Sequence, residues 1–399
     1  MNKKLLTVAI GAALSAAPML AAQADVKVGG MAQAEYYSAK ATCNIGTTAA
    51  SGTGIFSGSG ACAGTNAASA KGTGLIDNAR GRFWISADED LGANMKGLAY
   101  YEVSVDTANS GQSAANGNGA YPYDTTVRGF DARTREKYVG LSGGFGAFKF
   151  GNQHGVYKRM GGVRWDPFNA TVLEARSNGG QSGADVSGTF AHNGFIPGAI
   201  KWESGKLLGD MVLLEVLYAP HKNSNGAGDL TGTGDDYQAG VSVKPIKDLE
   251  IVAAFSDNKK TPDVAANSDQ KATKLGARYT FLSAHTVFVQ YEKTDMNNSA
   301  VASVPTSVGI TTVAVAKGKY TLLGYSLKLG NASIVAQIGK HQRDLVGLSS
   351  LEAKYAATGV MYNFSKTTRA WLGYRSTKVT EATISNDQKV FALGLRKDF

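Results

Sequence analysis

Polar and apolar residues alternate along much of this chain, and this alternation constrains the fold more than any other feature of the sequence. From residue 274 to residue 281, Lys, Gly, Arg and Thr occupy the even positions, and Leu, Ala, Tyr and Phe occupy the odd ones. The same two-residue period recurs over 286–292 and 323–329. Because successive side chains of a strand point to opposite faces, this pattern predicts strands with one polar and one apolar face. The sequence therefore predicts an all-β fold.

The apolar faces of these strands need a partner. The sequence shows no helical periodicity or second sheet that would supply a covering layer. Lipid is then the expected apolar partner, and the polar faces must surround water. The alternating segments, roughly 8 to 13 residues long, suit tilted strands that cross a bilayer, which need about 9 to 11 residues.

The connections between the alternating segments differ regularly in length. Seven are short and eight are long, so they join sixteen strands, an even number that lets the first and last strands pair antiparallel. We therefore predict a transmembrane 16-stranded antiparallel β-barrel with short periplasmic turns and long extracellular loops. The short connections lie near 88–94, 142–146, 204–210, 244–248, 282–284, 330–331 and 365–367, and the long ones near 39–78, 106–131, 154–195, 221–236, 257–270, 295–316, 344–350 and 381–388.

The N-terminus has the pattern of a secretory signal peptide. Lys3 and Lys4 precede an apolar stretch that is too short to span a bilayer, and small residues follow it up to an A-x-A cleavage pattern at 22–24. We expect residues 1–24 to be a signal peptide that is removed on export, and residues 25–399 to form the barrel.

Several segments carry a family resemblance that spans the chain from residue 26 to its end, although the loops do not match. They are VKVGGMAQAEYY at 26–37, ARGRFWISADEDLG at 79–92, REKYVGLSGGFG at 135–146, FGNQ at 150–153, DPF at 166–168 and FALGLRKDF at 391–399. In these segments the chain resembles the trimeric general porins of Gram-negative bacteria, most closely those of the β-proteobacterial and neisserial branch.

This resemblance implies a function and a set of partners. It implies an outer-membrane homotrimer through which small hydrophilic solutes and ions diffuse passively, surrounded by lipid and lipopolysaccharide. It also implies that the third long loop, about 154–195, folds into the barrel and constricts the pore. The C-terminal strand, which ends at Phe399, is implied to be the signal that the barrel-assembly machinery reads.

Charged residues of the barrel wall and of the third loop are the candidates for lining the constriction. An arginine that faced lipid near the bilayer midplane would cost about 2 to 4 kcal/mol, so the cations on the strands are expected to point inward. Opposed charges across a water-filled gap would orient dipolar solutes. Alternatively, some of these charges only hold the loop to the wall. The wall candidates are Arg80, Arg82, Arg133, Arg135, Lys149 and Lys201, and the loop candidates are Asp166 and Glu174.

The balance of charge favours anions. Basic residues of the third loop, namely Lys158, Arg159, Arg164 and Arg176, outnumber the acidic ones, and the whole chain has a formal net charge of +9. Relatives tend to carry Arg at the position of Asn152, and Lys149 nearby partly replaces that charge. We therefore expect a mild anion preference.

Other functions have less support in the sequence. None of the five histidines lies in a recognisable catalytic motif, so we expect no enzyme, no cofactor and no metal site, and no nucleic-acid pattern accompanies the positive charge. A substrate-selective channel on the same barrel is the main alternative, and a barrel enzyme or an adhesin is a more distant one. Cys43 and Cys62 fall in the first long loop, where export to an oxidising compartment favours a disulfide over two free thiols.

Overall fold

The fold is known from a computed structural model of the whole chain. It describes residues 24–44, 69–77, 81–105, 107–108, 130–131, 135–176, 178–182, 194–220, 235–258, 269–306, 309–345, 350–381 and 384–399. Residues 1–23 of the predicted signal peptide lie outside these ranges. The first strand begins at Asp25, which the sequence predicts as the first residue of the exported chain.

Antiparallel strands make up nearly all of the described structure. In chain order they are β1 (Asp25–Asn44), β2 (Ser69–Ile76), β3 (Arg82–Gly92), β4 (Met95–Val105), β5 (Phe130–Asp131), β6 (Lys137–Gly143), β7 (Gly146–His154), β8 (Phe195–Glu203), β9 (Val212–Ala219), β10 (Asp236–Val243), β11 (Leu249–Asn258), β12 (Asp269–Phe281), β13 (His285–Thr306), β14 (Gly309–Leu329), β15 (Ala332–Leu345), β16 (Leu351–Asn363), β17 (Thr368–Glu381) and β18 (Ile384–Asp398). Two four-residue helices, α1 (Val156–Arg159) and α2 (Gly162–Trp165), follow β7. No helix in the described ranges is long and apolar enough to cross a membrane.

These segments form a barrel wall of sixteen strands, as the sequence predicts. β2 and β3 both pair with β1, one beyond the other, so they are two parts of a single interrupted wall strand. β5 and β6 pair with β4 in the same way. β1 pairs with β18 from Met31 opposite Asp398 to Asn44 opposite Ser385, which closes the barrel.

The short turns lie where the sequence predicts them, but several of the predicted long loops are shorter. In the loop predicted over 39–78, β1 continues to Asn44 and β2 begins at Ser69. In the turn between β3 and β4, Ala93 and Asn94 have φ of 51° and 60°, the left-handed conformation that suits a tight hairpin. At the other end of the barrel, the segment predicted as a loop over 295–316 continues as strand, with β13 ending at Thr306 and β14 beginning at Gly309. This stretch is rich in Val and Thr, which favour extended backbone. β17 and β18 likewise extend into the predicted loop at 381–388.

The two faces of the wall have opposite chemistry. Outward-facing apolar side chains such as Leu275 and Leu393 are exposed, as expected where lipid covers them. The neighbouring inward positions carry polar or charged groups, such as Lys274 and Gln290, that are buried within the lumen. The apolar core of the molecule lies inside the barrel, where the segment after β7 packs against the wall.

Candidate functional site

The third long loop, of which residues 155–176 and 178–182 are described, folds into the lumen, as predicted. The backbone N–H of Tyr157 donates to Gln238 on β10 at 3.0 Å, and its hydroxyl donates to Glu292 on β13 at 2.9 Å. Further along the loop, the Tyr355 hydroxyl on β16 donates to the carbonyl of Leu173 at 2.6 Å. These contacts fix the loop to wall strands β10, β13 and β16, and the loop narrows the passage through the lumen.

Apolar side chains of the loop pack against wall positions that lack a side chain. Trp165 and Leu173 are almost fully buried. A Cβ atom at Gly276 would lie 2.7 Å from the Trp165 ring, and one at Gly373 would lie 2.5 Å from Leu173. Glycine at these two positions therefore lets the loop approach the wall closely.

Asp166 and Glu174, the acidic candidates of the loop, are buried and hydrogen-bonded within it. Asp166 accepts from the backbone N–H groups of Phe168 and Ala175 at 2.8 and 2.7 Å, and from Gln337 on β15 at 2.7 Å. Burial raises the pKa of the Asp166 carboxyl to about 6, although the bonds from Ala175 and Gln337 act in the opposite direction.

Glu174 accepts from the backbone N–H of Ala170 at 3.0 Å and pairs with Arg176 at 3.2 Å. This geometry favours the alternative in which the two acids hold the loop in shape. Asp185, a third acid of the loop, lies outside the described residues.

Two of the predicted wall cations meet around Glu102 on β4. The Glu102 carboxylate accepts from Arg135 Nε at 2.6 Å, and Arg82 Nη1 lies 3.8 Å away. The Tyr100 hydroxyl donates to the other carboxylate oxygen at 2.9 Å. We call this group the Glu102 cluster.

Two more predicted cations, Lys149 and Lys201, meet around Glu203 on β8 and Glu215 on β9. Lys149 Nζ lies 2.9 Å from Glu203, and Lys201 Nζ lies 3.1 Å from Glu203 and 2.9 Å from Glu215. Arg159 of the loop completes this Glu203–Glu215 cluster at 3.1 and 3.5 Å from the two carboxylates.

A third group surrounds Glu250 on β11 and contains none of the predicted site residues. Glu250 pairs with Arg164 of the loop, accepts from Trp165 Nε1 at 3.1 Å, and lies 3.3 Å from Arg278 Nη2 on β12. Ser242 donates to the same carboxylate at 2.7 Å. We call this group the Glu250 cluster.

The sequence reasoning missed the wall glutamates of all three clusters. Strand parity gives a usable signal for Glu250, because Glu250 faces the same side as Val252 and Ala254, which are buried inside the barrel. Glu215 gave a weaker signal, because its neighbours on that face, Leu213 and Leu217, are apolar.

Three arginines around Glu203, Glu215 and Glu250 are partly exposed to water, whereas these carboxylates are covered. The Arg159 side chain is 40% exposed, against 16% for Glu203 and 1% for Glu215. Arg164 and Arg278 are 46% and 39% exposed, against 4% for Glu250. These three guanidinium groups are therefore more exposed to the lumen than the carboxylates with which they pair.

Some predicted site residues cannot be placed. Arg80, Arg133 and Cys62 lie outside the described residues, as does the side chain of Cys43. In the ranges that the structure describes, no group of His, Cys, Asp and Glu residues could hold a metal ion.

An apolar outer wall, a polar lumen and a loop that narrows it together define a diffusion channel of the bacterial outer membrane. The model of the Gram-negative porin family matches residues 6–382, so the chain belongs to the Gram-negative porins. It is accordingly an integral outer-membrane protein, and its channel passes small hydrophilic solutes and ions. No curated protein matches the chain significantly in sequence.

Solved structures share the fold at low sequence identity. The anion-selective porin from Comamonas acidovorans has a TM-score of 0.62 and 17% identity, and the match covers 94% of this chain and 100% of that one. Salmonella typhi OmpF, in a complex with daunomycin, has a TM-score of 0.66 and 15% identity, with 94% and 97% covered. OmpT of Vibrio cholerae in its trimer form has a TM-score of 0.56 and 11% identity, with 94% and 99% covered.

Proposed function

We propose that this porin prefers anions over cations. The observation that carries the proposal is the unequal exposure within the ion pairs around Glu203, Glu215 and Glu250, in which Arg159, Arg164 and Arg278 are partly exposed to water and their carboxylate partners are covered. A mobile ion in the narrow passage then meets the guanidinium groups first. Each exposed unit charge at about 7 Å in water changes the energy of an ion by on the order of 0.6 kcal/mol before salt screening. The fold shared with a porin described as anion-selective is consistent with this proposal.

The reversal potential of the purified channel in a planar bilayer tests the proposal. Under a gradient of KCl, we expect a potential whose sign shows that chloride is more permeant than potassium. A potassium-selective potential contradicts the proposal.

Neutralising the loop arginines tests which charges set the preference. The double variant Arg159→Gln, Arg164→Gln removes two water-facing cations and leaves the wall carboxylates uncompensated, so the chloride-to-potassium permeability ratio should fall at least about twofold. Lys206→Gln is the matched control, because Lys206 lies in a periplasmic turn with its side chain 73% exposed and paired to Asp210. An equal change in both variants would show that overall charge, and not the loop, sets selectivity.

We further propose that the channel is a homotrimer. The family resemblance implies it, and OmpT of Vibrio cholerae, which shares the fold, is known in a trimer form. In SDS without heating, the protein should migrate as a trimer band that boiling converts to monomers. A monomer in mild detergent, at protein concentrations at which the channel still conducts, contradicts the homotrimer.

A further inference from the structure

Two arginines face each other inside the barrel at its periplasmic end. Arg369 on β17 lies directly opposite Arg396 on β18 in the strand register. Both side chains point into the barrel, because Trp371 and Gly394, the next pair on the same face of these two strands, also face the lumen. Like charges directly opposite each other in a sheet are destabilising, so this pair needs a compensating anion.

The described residues compensate the pair only in part. Arg396 Nε donates to Asp398 Oδ1 at 2.7 Å, and that carboxylate is the only acidic side chain paired with either arginine in the described ranges. Arg369 Nε is buried and has no hydrogen-bond acceptor among the described groups. Asn363 lies opposite Arg369 on β16 and adds a polar side chain beside it. A single carboxylate thus serves two guanidinium groups in a polar part of the lumen, because the charge of Asp398 acts on Arg369 as well as on Arg396.

The arginine pair lies on the periplasmic side of the loop, apart from the three clusters of the constriction. Trp371 covers Gly394 and donates through Nε1 to Glu35 at 3.0 Å, and Glu35 in turn accepts from the backbone N–H of Val172 in the loop at 2.9 Å. Arg369 lies two residues before Trp371, next to the short turn at 364–367. The three clusters of the constriction, by contrast, lie on strands β3 to β12 and on the loop.

We propose that Arg369 and Arg396 form an exit site that binds a small oxyanion, either a carboxylate or a phosphate, on the periplasmic side of the constriction. The planar guanidinium presents N–H donors in a fork that matches both anion types. An anion that has passed the loop arginines then meets a second positive site before it leaves the pore. This site goes beyond the anion preference proposed above, because it concerns binding at the exit and not the sign of selectivity.

Single-channel recording with an oxyanion added to one side tests the exit site. Inorganic phosphate, and in a separate arm succinate, is added to the periplasmic side of channels of known orientation in KCl of constant ionic strength. We expect concentration-dependent interruptions of the chloride current, and Arg369→Gln should weaken the block about tenfold, the scale of one lost charge-assisted hydrogen bond. The arm with the stronger block identifies the preferred anion.

Two further variants separate the exit site from a general charge effect. Lys206→Gln removes the same unit charge from a periplasmic turn elsewhere on the barrel and should leave the block unchanged. Asp398→Asn frees Arg396 from its internal carboxylate and should strengthen the block. Block that is absent, or equally strong in wild type and Arg369→Gln, overturns the exit site.

The same recordings separate this site from the proposed selectivity. Arg369→Gln should keep the wild-type reversal potential in KCl, whereas the Arg159→Gln, Arg164→Gln variant should shift that potential and keep the periplasmic block. The recordings can therefore contradict the exit site while the anion preference holds, or contradict the anion preference while the exit site holds.

Discussion

At the scale of single residues, the charges of the lumen are arranged in clusters in which covered carboxylates pair with cations of differing exposure. Glu215 is the most covered of these carboxylates, with Lys201 at 2.9 Å and Arg159 at 3.5 Å. Lys201 is itself only 1% exposed, so it depends on its acidic neighbours for compensation. Removing one partner of a buried ion pair is costly, because the other charge remains buried without compensation.

Glu215→Gln should therefore destabilise the barrel by about 3 kcal/mol. The measurement is the denaturant midpoint, followed by the heat-modifiable shift in SDS. Glu352→Gln is the matched control, since Glu352 also pairs with two lysines, Lys340 and Lys354, but its side chain is 30% exposed. An exposed pair is worth about 0 to 1 kcal/mol, so equal losses in the two variants would contradict the role of burial.

Strand parity predicted which way three of the wall cations face, but not what they pair with. Arg82, Lys149 and Lys201 lie on the inner face that parity predicts, because parity is a local property of a strand. Arg135 precedes β6, whose odd positions Val139 and Leu141 face outward, so its inward position comes from the bend before the strand and not from parity. The partners of these cations are on other strands, and Arg159 comes from the loop. The register between strands and the path of the loop decide such contacts, and a single strand contains no information about either.

At the scale of elements, the third loop is held by close contact with the wall as well as by hydrogen bonds. Gly339 on β15 is the tightest of these contacts with loop backbone, since a Cβ there would lie 2.5 Å from the Cα of Gly180. A backbone atom cannot rotate away as the end of a flexible side chain can. Any side chain at this position must push the loop toward the axis of the barrel.

Gly339→Ala should therefore lower the single-channel conductance and increase the current noise, at a stability cost of about 1 to 3 kcal/mol from overpacking. Gly97→Ala is the control, because the nearest atom to a Cβ at Gly97 is 3.8 Å away, an ordinary contact. Wild-type conductance in Gly339→Ala would show that the loop does not rest on this position.

The apolar residues of the loop could not have been assigned to an interior site from sequence. Trp165 and Leu173 are buried inside a lumen that is otherwise polar, and they pack there because Gly276 and Gly373 of the wall leave room for the loop. Asp166 and Glu174 look in sequence like charges facing the pore, but their oxygens accept hydrogen bonds from the loop itself. The loop folds on itself in a way that sequence spacing does not reveal. Its own backbone therefore donates hydrogen bonds to these carboxylates.

At the scale of the whole molecule, closure depends on the seam between the first and last strands. The backbone N–H of Gly30 donates to the carbonyl of Phe399 at 2.9 Å, and the N–H of Phe399 donates back to Gly30 at 3.1 Å. The Phe399 ring also lies over Gly30, where a Cβ would come within 2.4 Å of it. The last residue of the chain therefore completes the ladder that removes both sheet edges.

Deletion of Phe399 should lower the yield of folded, heat-modifiable protein in the outer membrane several-fold, because both seam hydrogen bonds and the ring contact are lost together. Phe391→Ala is the control, since Phe391 is an outward-facing residue of the same strand that is 43% exposed. Equal yields from the two variants would contradict a special role of the terminal residue in closure.

The sequence by itself determined the fold class, the number of wall strands and the inward direction of Arg82, Lys149 and Lys201. It could do so because alternation and turn spacing are local, and because a sheet in lipid has to close on itself. Only the tertiary structure decided which acids and bases meet, which of them face water, and that Arg369 stands opposite Arg396. These contacts join residues far apart in the chain, so they follow from strand register and loop path, which no local pattern records.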